Sequence, residues 1–224
     1  MRSTWDELAA VPELYVGDPG RGRQELESLF GRLGADLCGC TVVEVGCGSG
    51  RMTPLLAERF DRVVALDVSQ AMLDRTRAAV GEAANVELLL GSGERLDGVG
   101  DAVADTLVCY LVLQHLPRRE LVLAYLSEFA RVLAPGGEAF VQAPVLDGGL
   151  RPRAWRALRG LAVPVLWRLR RRPQDDPALR GTRLTRAELD RGLAGAGLRV
   201  VATDVGPDAP YRFSRDLFLR LARA

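Results

Sequence analysis

The sequence lacks lysine and has one histidine, His115, and four cysteines. All thirty basic residues are therefore arginine, which indicates biased codon usage and carries no functional inference. No two cysteines form a Cys-x-x-Cys pair, and His115 belongs to no cysteine group, so a zinc site is not predicted. With no secretory context, we expect small buried thiols rather than a disulfide framework at Cys38, Cys40, Cys47 and Cys109.

Long apolar runs are also absent. No stretch approaches the roughly 18 apolar residues of a membrane-spanning helix, and no charged segment followed by an apolar one opens the chain. The 224 residues are 48% hydrophobic with a formal net charge of +1, which is typical of an ordinary globular domain. We therefore predict a single domain over residues 1–224, located in the cytoplasm.

Three alternating glycines follow a β-branched apolar run at residues 42–45. The run predicts a buried parallel strand, and Gly46, Gly48 and Gly50 predict a loop whose backbone approaches a ligand, followed by a helix over residues 52–60. The dinucleotide fingerprint has a further glycine five positions after the first, where this chain has Arg51. A nicotinamide oxidoreductase is therefore the weaker alternative.

An acidic residue ends the next apolar run, residues 62–66. Asp67 lies twenty-one residues after Gly46, the distance at which a βαβ unit presents a carboxylate to both hydroxyls of a ribose. Its alternative role is to cap the helix that begins near Ser69.

Several motifs of the chain resemble those of class I S-adenosylmethionine-dependent methyltransferases of the small-molecule type. They are E-x-G-x-G-x-G at residues 44–50, D-x-S-x-x-M-L at 67–73, a block from 105 ending in L-x-H-L-P at 117, and R-V-L-A-P-G-G at 131–137. The resemblance covers about residues 41–143, a cofactor-binding core, and more weakly 184–205. It implies an α/β fold with a doubly wound, Rossmann-like sheet of seven strands, the last antiparallel. It also implies S-adenosylmethionine as the cofactor and methyl transfer to a small-molecule acceptor.

The resemblance also implies which residues bind the cofactor. Val68 would lie against the adenine, and Ser92 stands where the family commonly has an acid that binds the adenine amino group, with Glu94 as the alternative. The implied set is Glu44, Gly46, Cys47, Gly48, Gly50, Asp67, Val68, Met72, Ser92, Gly93 and Cys109.

Two residues after the fourth strand are candidates for the reaction itself. Tyr110 is expected to border the reacting methyl group, and His115 either acts as general base or pins its loop by hydrogen bonding. The chain lacks the N/D-P-P-Y/F/W run of enzymes that methylate amines of nucleic-acid bases and the Pro-Cys of cytosine C5 enzymes. We therefore expect a small molecule, methylated on oxygen, nitrogen or a carboxylate, and not a nucleic acid.

The segments that flank the core are expected to cover it. Residues 1–37 predict two helices, over 5–15 and 21–37, whose Tyr15, Arg21 and Arg23 face either the cavity or solvent. Residues 147–183 predict a cap insertion, in which the arginine-rich segment 151–172 has eight arginines and no acid, and Pro164 is expected to kink or break its helix.

The arginine-rich segment has three interpretations: a cap helix with a solvated basic face, a helix on anionic lipid, or a nucleic-acid surface. We favour the cap, which suits an amphipathic or anionic acceptor. The rival function is a non-catalytic protein that binds a partner, RNA or a membrane through this segment. Strand five is predicted over residues 138–142. Residues 184–224 predict a helix with a capping box at Thr185 and Glu188, then two strands, the last over 211–221.

Overall fold

A computed structural model describes residues 2–9, 21–37, 39–146, 148–170, 181–208 and 213–224. Its helices are α1 (Arg2–Leu8), α2 (Gly22–Arg32), α3 (Thr53–Arg59), α4 (Gln70–Val80), α5 (Arg119–Val132), α6 (Leu150–Arg170) and α7 (Arg186–Gly195). Its strands are β1 (Gly39–Val45), β2 (Phe60–Asp67), β3 (Val86–Leu90), β4 (Ala104–Cys109), β5 (Leu133–Leu146), β6 (Leu184–Thr185), β7 (Leu198–Asp208) and β8 (Ser214–Arg223).

The sheet has the doubly wound order that the resemblance implies. Its strands run β3-β2-β1-β4-β5-β8-β7, with β1 to β5 parallel and β8 antiparallel to both of its neighbours. The two-residue β6 pairs with the end of β5 and was not predicted. Strand order reverses between β1 and β4, and ligands of such sheets bind in the crevice beyond the carboxyl ends of the strands there.

Alternate residues of the central strands pack against helices on opposite faces of the sheet. Val43 of β1 belongs to the cluster around Phe129 of α5, whereas its neighbour Val42 belongs to the cluster around Phe30 of α2. Phe30 also stacks on Phe140 of β5, with ring centroids 4.0 Å apart. Because both faces are buried, β1 is fixed in place and holds the glycine turn at its carboxyl end rigidly.

The structure differs from the sequence prediction at several element boundaries. The second helix ends at Arg32 because Gly34 takes a left-handed backbone with φ of 63°. Strand β5 begins at Leu133, five residues earlier than predicted, because Leu133 already pairs with Ala104 before a register shift. The last strand starts at Ser214; the predicted start at residue 211 lies outside the described residues, as does the end of the first predicted helix.

Helix α6 continues through Pro164, so the predicted break is wrong. Pro164 and Gly160 are both exposed, so water can hydrate the Gly160 carbonyl that loses its amide partner. The expectation that the cysteines are buried is confirmed for Cys47 and Cys109. It is wrong for Cys40, which is exposed because it lies at the exposed start of β1. Cys38 lies outside the described residues.

Candidate active site

The turn after β1 is shaped by contacts of the protein with itself. Gly46 has φ of 72°, and a Cβ there would overlap Cγ2 of Val112 in the loop after β4. Gly50 has φ of 81°, and a Cβ there would lie 2.8 Å from Cα of Thr76 on α4. At these two glycines the backbone therefore lies in close contact with neighbouring elements of the fold, the loop after β4 and α4.

Asp67 joins the glycine turn to the end of β2. One carboxylate oxygen accepts from the Gly48 amide at 3.0 Å, and the other accepts from the Ser69 amide at 2.9 Å. Ser69 is the residue that caps α4, through its hydroxyl and the Met72 amide, so the alternative role of Asp67 as the helix cap is wrong. Burial raises the pKa of Asp67, and hydrogen bonds from the backbone amides of Ser69, Gly48 and Val68 oppose this rise.

Glu44 stabilises the same turn from the interior of the protein. Its side chain is buried, and its Oε2 accepts from Oγ1 of Thr53 at 2.7 Å, which ties β1 to the first residue of α3 across the glycines. Burial raises the pKa of Glu44 to about 7, against the opposing hydrogen bond from Thr53. Arg51, also buried, pairs with Glu25 of α2 at 2.6 Å. Glu44 therefore positions the turn and does not reach into the cleft beside it.

A cleft opens beyond the carboxyl ends of β1 to β4. Of the predicted site residues, seven line it: Gly46, Gly48, Asp67, Val68, Met72, Gly93 and His115. The remaining six predicted residues are not among its lining: Glu44, Cys47, Gly50, Ser92, Cys109 and Tyr110. The other residues of the lining are Trp5, Val45, Leu66, Gly91, Arg95, Leu96, Leu111, Val112, Leu116 and Tyr125.

Ser92 turns away from the cleft, toward Asp97. Its amide donates to Asp97 Oδ2 at 2.8 Å, and its hydroxyl accepts from the Glu94 amide at 3.2 Å. The bond from the Ser92 hydroxyl is the main cause that lowers the pKa of Asp97 to about 2. Glu94 is also absent from the lining, whereas Arg95 contributes to it. Neither candidate for the missing adenine-binding acid therefore faces the cleft.

The loop after β4 brings His115 to the cleft and leaves Tyr110 outside it. Leu111, which lines the cleft, has φ of 59°, a conformation that costs a bulky residue on the order of 1–3 kcal/mol and is typical of functional loops. The His115 ring packs edge-to-face on Trp5 with centroids 5.0 Å apart. Tyr110 instead lies parallel to Phe218, with centroids 6.4 Å apart.

Both buried thiols are unsuited to nucleophilic chemistry. Burial raises the pKa of Cys47 and of Cys109, so each thiol stays protonated near neutral pH. This agrees with the interpretation of Cys109 as a packing residue. Across the described ranges, no three His, Cys, Asp or Glu side chains are grouped so as to hold a metal ion.

Two cleft residues that the sequence analysis missed come from helices remote in the chain. Trp5 lies on α1, whereas the sequence analysis expected the two N-terminal helices to face either the cavity or solvent with Tyr15, Arg21 and Arg23. Arg21 is exposed and Arg23 pairs with Glu58 at 2.8 Å, so both take the solvated alternative, while Tyr15 lies outside the described residues. The second is Tyr125 of α5. It has the helical spacing of a core residue, and burial raises the pKa of its phenol.

The described part of the cap insertion is tied to the His115 loop and to α7. Thr182 donates its amide to the Leu116 carbonyl at 2.7 Å, and Arg183 donates to the Gln114 carbonyl at 3.0 Å. Arg156 of α6 donates to Glu188 at 2.6 Å, in the capping box of Thr185 and Glu188 that the sequence predicts. Among the described helices, none has both the length and the apolar composition needed to cross a membrane.

Known proteins share this core. Residues 43–141 match the family profile described as a methyltransferase domain. The biotin biosynthesis bifunctional protein BioHC of Cellvibrio japonicus (strain Ueda107) is 36% identical over 127 residues, which cover 57% of this chain and 24% of that protein. The ubiquinone biosynthesis O-methyltransferase of Azoarcus sp. (strain BH72) is 29% identical over 137 residues, 61% of this chain and 55% of that protein. The chain thus spans about half, or less, of the length of these relatives.

A solved structure extends the likeness of the fold to the whole chain. The N-methyltransferase NodS from Bradyrhizobium japonicum WM9, in complex with S-adenosyl-L-homocysteine, superposes with a TM-score of 0.68 at 15% identity. The match covers 99% of this chain and 97% of that chain. The sheet order, the glycine turn with its acid at the end of β2, and the matched profile agree with one another. Residues 43–141 therefore belong to the methyltransferase domain family, within a sheet that has the Rossmann-like fold of methyltransferases.

Proposed function

We propose that this protein transfers a methyl group from S-adenosylmethionine to a small-molecule acceptor. The observation that carries the proposal is the half-buried Asp67 carboxylate at the end of β2, beside a cleft lined by Gly46 and Gly48. A carboxylate has about four lone-pair sites, and the backbone amides of Ser69, Gly48 and Val68 donate to Asp67, so the carboxylate can still accept from a ribose hydroxyl.

The other cleft residues suit the remaining parts of such a cofactor. Val68 and Met72 offer an apolar surface of the kind on which an adenine ring packs, and Gly91 and Gly93 leave the backbone next to them uncovered by side chains. Ser92 and Glu94 do not face this region, so backbone groups and Arg95 are the groups proposed to contact the base edge. Gly46 and Gly48 would pass beside the amino-acid end.

S-adenosylmethionine supplies a methyl group that is already activated by its sulfonium. The chain therefore has to bind the acceptor in line with that methyl, and such positioning can supply roughly 7 to 11 kcal/mol of the barrier. A general base adds less, about 3 to 5 kcal/mol for a 10² to 10⁴-fold effect. His115, packed on Trp5 within the cleft lining, is the side chain proposed to accept the acceptor's proton.

The acceptor proposed is a small amphipathic or anionic molecule that enters between the cleft and the cap insertion. A second cavity lies on the cap side of the His115 loop, and Pro117, Arg156, Arg159 and Arg183 contribute to its walls. Guanidinium groups at a partly enclosed site favour a carboxylate or phosphate on the ligand. Methylation on oxygen, nitrogen or a carboxylate is compatible with this arrangement.

Calorimetric titration with S-adenosylhomocysteine, with NAD as the control, tests the proposal. Micromolar binding of the homocysteine compound alone is the expected result, because the turn carries Arg51 at the position of the third glycine of dinucleotide sites. Binding of NAD in preference, or of neither compound, would contradict the proposed function.

A further inference from the structure

We propose that α6 docks the protein on an anionic membrane surface. This inference goes beyond methyl transfer and does not depend on it. The surface consists of an outer stripe of five aliphatic side chains on α6 and of the exposed arginines beside it. The stripe is Leu150, Leu158, Leu161, Val165 and Leu169.

The outer stripe holds the five most exposed large hydrophobic side chains of the described residues. In chain order they are 83%, 58%, 74%, 54% and 77% exposed, whereas Leu90 and three valines of β7 range from 38% to 52%. Their positions, with Ala154, recur every three or four residues, so they share one face of the helix. A contiguous apolar face of this kind on a globular protein is typical of an interaction site.

The opposite face of α6 fixes which side points outward. Arg156 donates to Glu188 at 2.6 Å and to the Arg183 carbonyl at 3.1 Å, and Pro152 is buried. Trp155, Ala162, Val163, Leu166 and Trp167 are half-buried on that same inner side. Rotating the helix to bury the outer stripe would break the Arg156 contacts, so within the described part of the chain only an external partner would take the stripe out of water.

All charged side chains of α6 are basic. Residues 150–170 contain six arginines and no acidic residue, in a chain whose net charge is +1. Exposed arginines elsewhere often have carboxylate partners, as Arg62 has Glu87 at 2.7 Å and Arg186 has Asp190 at 2.8 Å. Within the described ranges, no carboxylate pairs with the exposed arginines next to the stripe: Arg151, Arg153 and Arg168.

An anionic lipid surface satisfies both parts of this face. Lipid phosphates neutralise the arginines while the boundary of the acyl chains receives the aliphatic side chains, with the helix lying in the plane of the interface. A second copy would bring two helices of six arginines each face to face, which like charge opposes. A nucleic acid would neutralise the arginines but leave the five aliphatic side chains in water.

The test is flotation of the full chain with vesicles of phosphatidylcholine and phosphatidylglycerol, compared with vesicles of phosphatidylcholine alone. We expect binding to the mixed vesicles only, weakened by salt. The stripe variant Leu158→Ser/Leu161→Ser/Val165→Ser and the charge variant Arg153→Gln/Arg168→Gln should each weaken binding by about tenfold or more.

Matched controls place the same changes elsewhere on the surface. Val200→Ser/Val201→Ser/Val205→Ser alters three exposed aliphatics of β7, and Arg75→Gln/Arg199→Gln removes two exposed arginines; neither should change vesicle binding. Circular dichroism and S-adenosylhomocysteine titration of every variant verify folding. Failure to bind that compound with intact vesicle binding would overturn the proposed function alone.

Other results would overturn the docking proposal. Equal binding to both kinds of vesicle, or binding to neither, would do so. Concentration-dependent dimers that only the stripe variant abolishes, without vesicle binding, would identify a second copy as the partner. Salt-sensitive RNA binding lost only in the charge variant would identify a nucleic acid.

Discussion

At the scale of single residues, Asp67 is the side chain on which the proposed cofactor site depends most. It is half-buried at the end of β2, accepts a hydrogen bond from the Gly48 amide at 3.0 Å, and borders the cleft. The same side chain thus shapes the turn and presents the acceptor groups for a ribose. Removing it should therefore affect binding more than any other single change in the cleft.

We expect Asp67→Ala to weaken S-adenosylhomocysteine binding by roughly tenfold to a hundredfold, since each hydrogen bond to a charged group contributes about 1.5–3 kcal/mol. Calorimetric titration measures the change. Asp74→Ala, which removes an exposed carboxylate of α4, is the control and should bind like the wild type. Unaltered affinity of Asp67→Ala would remove this carboxylate from the ribose site.

His115 allows a prediction about rate. We expect His115→Ala to lower kcat by less than about a thousandfold with the acceptor that supports turnover, because positioning contributes more than proton transfer. Gln114→Ala, its neighbour at 3.1 Å, is the control for a loop that merely loses packing. A larger loss with unchanged affinity for S-adenosylhomocysteine would make His115 an obligatory base.

Glu44 should make stability depend on pH. Burial raises its pKa in the folded state to about 7 from 4.5, so between these values the folded chain binds a proton that the unfolded chain releases. Stability should therefore fall as pH rises from 4.5 to 7, by about 3 kcal/mol on an order-of-magnitude basis.

The measurement is the unfolding free energy in urea of wild type and of Glu44→Gln, which keeps an oxygen for the Thr53 hydroxyl. The difference between the two proteins should change by about 2 kcal/mol between pH 5 and pH 7.5, in favour of the variant at the higher pH. Exposed Glu87→Gln serves as the control. A difference that is constant with pH would show that Glu44 is ionised in the fold.

At the scale of elements, the glycine turn and the loop after β4 form one packed unit. Gly46 has no space for a Cβ because Val112 fills it, and the Gly46 and Cys47 amides both donate to the Leu66 carbonyl, at 2.8 and 3.0 Å. The turn is thereby fixed between β2 and the loop that carries His115. A change in one element should be compensated by a change in the other.

Gly46→Ala tests this packing. We expect it to cost about 2–4 kcal/mol, from overpacking on Val112 and from the left-handed φ. In a double-mutant cycle, Val112→Ala should recover on the order of 1 kcal/mol or more, while the backbone strain remains. Urea unfolding of the four proteins gives the coupling energy. Strict additivity would mean that the loop moves freely away from the new methyl group.

Elements also differ in how well the sequence predicts them. Asp67 and the glycines were predictable because local spacing within one βαβ unit sets their positions, and Thr185 because a capping box is a local signal. Trp5 was not, because it reaches the cleft only through the packing of α1 on α4. Ser92 lies at a motif position, yet its neighbour Asp97 turns its hydroxyl away.

At the scale of the whole molecule, the cleft joins the parallel half of the sheet to the N-terminal helix. Its walls come from the ends of four strands and the loops after them, and from α1, α4 and α5. A ligand bound there contacts elements far apart in the sequence, and unfolding of the domain would destroy all of these contacts together. Binding should therefore appear as global stabilisation.

We expect S-adenosylhomocysteine to raise the melting temperature, and NAD to leave it unchanged. At a ligand concentration of 100 times Kd the added stability is about 2.7 kcal/mol, which for a chain of this size corresponds to a shift of roughly 5 to 10 °C. Scanning fluorimetry over a series of ligand concentrations measures it. Asp67→Ala should need roughly tenfold to a hundredfold more ligand for the same shift, because the shift depends on the ratio of ligand to Kd. A shift of equal size with NAD would favour a dinucleotide site, in which case the exchange of the third glycine for Arg51 would not discriminate between the two cofactors.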